Sequence, residues 1–266
     1  MNTPEPPGRL LKAFGAIVVV YLLAPLFIVM GMSLNAGNNL SFPPDELSLR
    51  WYQNMVDSPQ WTDAISISVQ LGLTVAVITT VLGYTLALGL SRSKIRGKSL
   101  VAGLALSPLV IPSVVLGVAF YLVFSDLKLV STFEGLVIAH VVMALPYVVV
   151  NIMAGLQLVD RDLERAARSL GAGPFNTFRR ITLPLTWPAI AASAIFAFVT
   201  SWDEVVVAIF IAGPETQTLP IVMWSQLRTA IDPTIAAVAT VLMFTTIVAL
   251  GLGALAMKLV NRRTAP

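Results

Sequence analysis

Two consecutive carboxylates, Asp203 and Glu204, interrupt an apolar run spanning residues 181–213. Acidic groups at membrane depth are costly and face a polar cavity or a partner, so the pair could attract a cation on a translocation path. Neighbouring helical residues point about 100° apart, so both cannot face the same way; Asp203 and Glu204 are equal candidates, beside Trp202. The structural alternative is pairing with Lys128 or Arg228, or a place at the outer interface. His140, the single histidine, lies six residues before Pro146 in another apolar run. It predicts a hydrogen bond to a neighbouring helix, with a substrate contact as the second reading. With no cysteine and one histidine, disulfides, thiol catalysis and Cys- or multi-His metal sites are excluded. No G-x-x-x-x-G-K-[ST] occurs, so the chain is not expected to bind ATP or another cofactor itself. Its basic residues lack the aromatic interleaving of a nucleic-acid groove, and no nucleic-acid partner is expected.

A second cluster is the charged island at residues 160–184. Asp160, Asp162 and Glu164 open a helix expected over 160–170, and Arg168 sits near its end, matching the helix dipole. Gly171 is placed to close it in the left-handed conformation. Pro174 can then open a second short helix that ends in Arg179-Arg180. Leu163, Ala166, Ala167 and Leu170 share one face at i, i+3, i+4, i+7 spacing. The two alanines make that face shallow, which suits either a docking partner or packing on the chain's own bundle.

The elements that position these residues follow from composition. The chain is 56% hydrophobic and 12% charged, against roughly 25% charged in soluble domains. Six apolar segments, 13–34, 64–90, 99–125, 135–159, 181–213 and 233–257, each exceed the ~20 residues needed to cross a bilayer as a helix. An all-α membrane protein with six transmembrane helices is expected. With the N-terminus inside, only Arg50, Lys128 and Arg228 of the 17 Lys and Arg fall in outer loops. This positive-inside asymmetry places both termini and residues 160–184 in the cytoplasm. The first run is longer than a secretory apolar region, so a retained anchor is expected.

The expected organisation is a cytoplasmic tail at 1–12, one six-helix domain at 13–259 and a tail at 260–266. Within the domain, the outer loop 35–63 is expected to carry a helix capped by Ser48, with Trp51 and Trp61 at the interface. Pro108 and Pro112 predict a kink in the third span. Gly83, Gly89, Gly103 and Gly117 permit close helix packing.

The spacing Ala166-Ala167, Gly171, nine residues, Ile181-x-Leu183-Pro184 resembles the EAA loop of permease subunits of ABC importers. Arg165 stands where that family carries its leading glutamate; the acid here is the adjacent Glu164. Ser48–Tyr52 (SLRWY), Leu145-Pro146-Tyr147, the run from Ser201 to Val206 (SWDEVV) and Thr234-Ile235-Ala236-Ala237 look like the second permease of spermidine/putrescine-type importers, over most of residues 10–260.

The resemblance implies a type I, methionine-importer-like permease fold in the bacterial inner membrane. It also implies half of a translocation pore, completed by a homologous permease subunit. Loop 160–184, with Leu163, Glu164, Arg165, Ala166, Ala167, Leu170, Gly171, Ile181, Leu183 and Pro184, would dock on a dimer of ATPase subunits that carry ATP and Mg. An extracytoplasmic solute-binding protein would deliver a polyamine or similar small cation. Permeases for iron(III), 2-aminoethylphosphonate, thiamine or sulfate share the loop. A rival class is a self-sufficient secondary transporter or channel using Asp203, Glu204 and His140.

Overall fold

The computed structural model describes residues 8–93, 96–229 and 232–264, with side chains up to residue 255. Residues 1–7 and 265–266 of the two expected tails lie outside the described residues. Helix α1 (Arg9–Ser33) includes residues 9–12.

Helices follow in the order α2 (Arg50–Asp57), α3 (Pro59–Arg92), α4 (Lys98–Leu106), α5 (Ser113–Asp126) and α6 (Phe133–Leu158). Then come α7 (Arg161–Ser169), α8 (Pro174–Thr177), α9 (Leu183–Trp202), α10 (Val206–Ile211), α11 (Leu219–Thr229) and α12 (Thr234–Thr264). Among the described residues there is no strand; Asn35 and Leu47 form an isolated bridge. Apolar chain that cannot hydrogen-bond to lipid satisfies its backbone within each helix. Five helical segments are long and apolar enough to cross a membrane: 9–33, 59–92, 133–158, 174–202 and 234–255.

The third apolar run departs from a simple kink. Its helices α4, extended by a 3-10 turn at Ser107–Leu109, and α5 meet at 106°. Pro108 lies in the 3-10 turn and Pro112 precedes the first residue of α5. Neither proline can donate to the helical ladder, and four residues apart they break it outright. The run is a broken span or a re-entrant segment.

The chain divides into two compact units, residues 1–62 with 225–244, and 63–224 with 245–266. In the first, Trp51 Nε1 donates to Asn35 O at 2.8 Å and Asn54 Nδ2 to Thr234 Oγ1 at 2.8 Å. Ser48 Oγ accepts from Arg50 N, as a residue opening α2 should, although Leu49 occupies the cap position. Trp51 and Trp61 are 7% and 3% exposed. Both are packed inside, which corrects the expectation that they anchor the loop at the lipid interface.

The second unit is organised around α6. Leu136, His140, Ala144, Val148, Ile152 and Leu156 recur every fourth residue and are essentially fully buried. The principal partner of α6 is α9, which buries the small residues Thr186, Ser193, Ala197 and Ser201. Small side chains let two membrane helices approach closely, where dispersion contacts supply the attraction that lipid cannot. At Gly155 of α6 an added Cβ would run into the Ala189 side chain of α9. Of the four glycines singled out from sequence, Gly83 and Gly117 sit at such contacts, whereas Gly89 and Gly103 face open space. Gly155→Leu should therefore cost about 1–3 kcal/mol by overpacking, read as a lower melting temperature in detergent, while Gly89→Leu should leave it unchanged.

Candidate functional site

The charged island folds as a helical hairpin whose local signals act as written. Asp160 Oδ1 accepts from Asp162 N at 2.8 Å and opens α7. Gly171 closes it with φ +87°, donating to Arg168 O at 3.0 Å while Ala172 N reaches Ala167 O at 3.0 Å. A side chain at that φ would be strained. Pro174 is the first residue of α8. A π-turn at Phe178–Thr182 then carries the chain into α9 without a break, so residues 174–202 form one continuous segment.

The face at Leu163, Ala166, Ala167 and Leu170 is left uncovered. Leu163 is 48% exposed, Leu170 90% and the nearby Phe175 70%; Ala166 and Gly171 are exposed and Ala167 is half-buried. Ile181 and Leu183 are half-buried and Pro184 is exposed. Apolar side chains are thus gathered in the open on an otherwise charged hairpin. Arg165 joins the exposed side, paired with Asp162 at 2.7 Å.

Glu164 does not belong to this face. Its side chain turns inward, where Oε1 accepts from Arg92 Nη2 at 3.0 Å and from Thr182 Oγ1 at 2.9 Å. The sequence placed Glu164 with the docking residues; the structure places it behind them. The reason is helical geometry, since Glu164 lies about 100° from Arg165 and meets the end of α3.

A second feature is a polar cavity of about 320 Å³. Residues 108–113, the broken turn between α4 and α5, form one wall. Met143 and Tyr147 of α6, Thr200 of α9 and Glu204 form the others. The two carboxylates are thus separated. Glu204 is half-buried, lines the cavity and accepts from Val207 N at 2.8 Å, which starts α10. Asp203 caps α9 through its N–H to Val199 O at 3.1 Å and is exposed away from the lining.

The remaining two candidates lie elsewhere. His140 is 1% exposed, and its Nδ1 hydrogen-bonds to Ser201 Oγ at 2.9 Å across α6 and α9. Trp202 is 2% exposed and stacks on Phe198 with centroids 5.7 Å apart. Neither borders the cavity. Sequence reasoning missed Tyr147, Thr200 and Ser113 as lining residues. The prolines beside them, Pro146 and Pro112, were the available signal.

With this geometry in place, comparison with known proteins is decisive. Residues 79–265 match the family model described as "binding-protein-dependent transport system inner membrane component". The chain belongs to that family. It is a transport subunit that crosses the membrane several times. It is 30% identical over 242 residues to the spermidine/putrescine transport system permease protein PotC of Escherichia coli K12, covering 91% of each chain. The putrescine transport system permease protein PotI of the same strain is 32% identical over 230 residues, 84% of this chain and 82% of that one.

Solved structures agree in fold. A chain of a bacterial ABC transporter involved in import of the acidic polysaccharide alginate superposes with TM-score 0.69 at 16% identity, over 94% of this chain and 98% of that one. A chain from inward-facing MetNI, a methionine ABC transporter, gives TM-score 0.61 at 17% identity, over 80% and 99%. The architecture is the all-helical one of type I ABC importer permeases.

Because the chain lacks cysteine, single cysteines report the cavity directly. Cysteine at Ser113, Thr200 or Glu204 should react with a small hydrophilic maleimide in the purified protein. Cysteine at the fully buried Ala144 or Ala197 should be at least about tenfold slower, a rate difference equivalent to ~1.4 kcal/mol.

Proposed function

We propose that this chain is one of two homologous membrane subunits of an ATP-driven importer in the bacterial inner membrane, carrying polyamines or similar small cations. In this reading six spans form half of the pore, the broken run at 98–126 counting as one, and both termini are cytoplasmic. The organisation is one permease domain at 13–259 with an outer loop at 35–63. Residues 160–184 dock on the ATPase dimer, which holds ATP and Mg; the chain itself binds no cofactor. A solute-binding protein delivers substrate from outside.

The observation that carries the reading is the exposed shallow face of α7, built on Ala166 and Ala167 and closed by Gly171. A transporter working alone has no use for an uncovered apolar face on a charged hairpin. The names of the two relatives, spermidine/putrescine and putrescine transport, support the cation. So does Glu204 in the cavity wall: a half-buried carboxylate offers an ammonium group a partner that water does not satisfy. Glu204 is the favoured path residue, since Asp203, Trp202 and His140 are not among the residues that line the cavity.

Bulky replacement of the face (Ala166→Trp with Ala167→Trp) should abolish ATPase co-purification, and Gly171→Val should reduce it. Arg165→Ala should have little effect, because that charge is already satisfied by Asp162 in an exposed pair of small net worth. In reconstituted vesicles, Glu204→Gln should lower spermidine or putrescine uptake by about tenfold, one lost charge contact of ~1.4 kcal/mol, and Asp203→Asn much less. Uptake driven by a proton gradient without the ATPase would overturn the proposal.

A further inference from the structure

The polar bonds around Glu164 close into a ring. Arg92, in the last turn of α3, donates through Nη2 to Glu164 Oε1 at 3.0 Å, and also toward Leu156 O of α6 at 3.4 Å. The same Glu164 oxygen accepts from Thr182 Oγ1 in the π-turn at 2.9 Å. Thr182 O in turn accepts from Thr186 Oγ1 at 2.8 Å, which uses the one hydroxyl proton of Thr186. Tyr84 OH must therefore donate to Thr186 Oγ1 at 3.0 Å. Tyr84 and Arg92 both lie on α3, so the circuit returns to the helix where it began. A second tie runs beside it, from Arg161 Nη2 to Ser91 O at 3.0 Å, one turn before Glu164 on α7.

α7 is joined to α6 through Val159 and Asp160 and to α8 through residues 170–173, which include Gly171 and Gly173. The ring adds side-chain ties to these short links. Glu164 is 9% exposed and Arg92's side chain 19%. In such surroundings charge-assisted bonds are stronger than surface pairs.

We propose that Glu164 is a positioning residue that fastens α7 to the end of α3 and to the start of α9, so that a displacement of α7 is passed to both helices as one movement. This rests on the reading of α7 as the docking element, and gives its inward acid a separate task from the outward face. Arg165 lies outward, paired with Asp162; Glu164 transmits.

The test uses the full importer in vesicles, scoring ATPase retention, melting temperature and substrate imported per ATP hydrolysed. Glu164→Ala and Thr182→Val should each retain the ATPase yet lower the ratio by about tenfold, within the usual range of coupling between sites. Thr182→Val deletes a single hydroxyl and keeps the test valid should Glu164→Ala fold poorly. The double variant Arg92→Met/Glu164→Leu replaces the part-buried pair by apolar groups of similar size, a change that is tolerated or stabilising for ion pairs in other interiors. It should melt no lower than the parent and still import at the reduced ratio. A parental ratio in the double variant, or in both single variants with the ATPase retained, overturns the positioning role alone. Failure of the parent chain to retain an ATPase overturns the docking reading as well.

Discussion

In hydrocarbon every backbone N–H and C=O must find a partner within the protein, and the rest of this structure depends on that constraint. It accounts for the long uninterrupted helices and for where they stop. The two breaks inside apolar runs, at residues 107–112 and 203–205, both contribute to the lining of one polar cavity, the second through Glu204. Non-helical backbone at membrane depth is tolerated where it lines such a space. A carboxylate at the second break serves the same constraint: Glu204 satisfies a free N–H at the start of α10.

Close packing is the second consequence. Since lipid is as apolar as leucine, α6 and α9 gain little by hiding hydrophobic surface from it. They adhere through contact, which is why α9 buries threonine, serine and alanine and why Gly155 faces Ala189. Hydroxyls of α9 then bond to its neighbours, as Ser201 does to His140 of α6 and Thr186 to Tyr84 of α3. The polar ring at Glu164 extends that network to the hairpin, so the packed core and α7 are joined by bonds rather than by loops alone.

Much of the hairpin was legible in the sequence because its signals are local. Asp160, Gly171 and Pro174 act through their own backbone torsions and nearest N–H groups, and each took the expected place. The break at Pro108 and Pro112 was legible in kind but not in degree, since the missing donors are local while the 106° turn depends on what α4 and α5 pack against. The roles of Trp51 and Trp61 were misread for the same reason. A tryptophan suits an interface or a core equally well, and only its neighbours decide.

The amino-acid sequence by itself determined the solvent, the apolar spans and the hairpin, because hydropathy and turn chemistry are properties of a few consecutive residues. Tertiary structure alone decided which way each chemical group faces. A π-turn at Phe178–Thr182 shifts the helical register, and no periodicity in the chain announces it. Through the fold, Glu164 was turned to Arg92 and away from Arg165, and Glu204 was set in the cavity wall apart from Asp203. Glu164 and Arg165 are separated by about 100° on α7, whereas Asp203 and Glu204 sit where the helix is broken; the sequence can name either pair, and only packing decides which way each member faces.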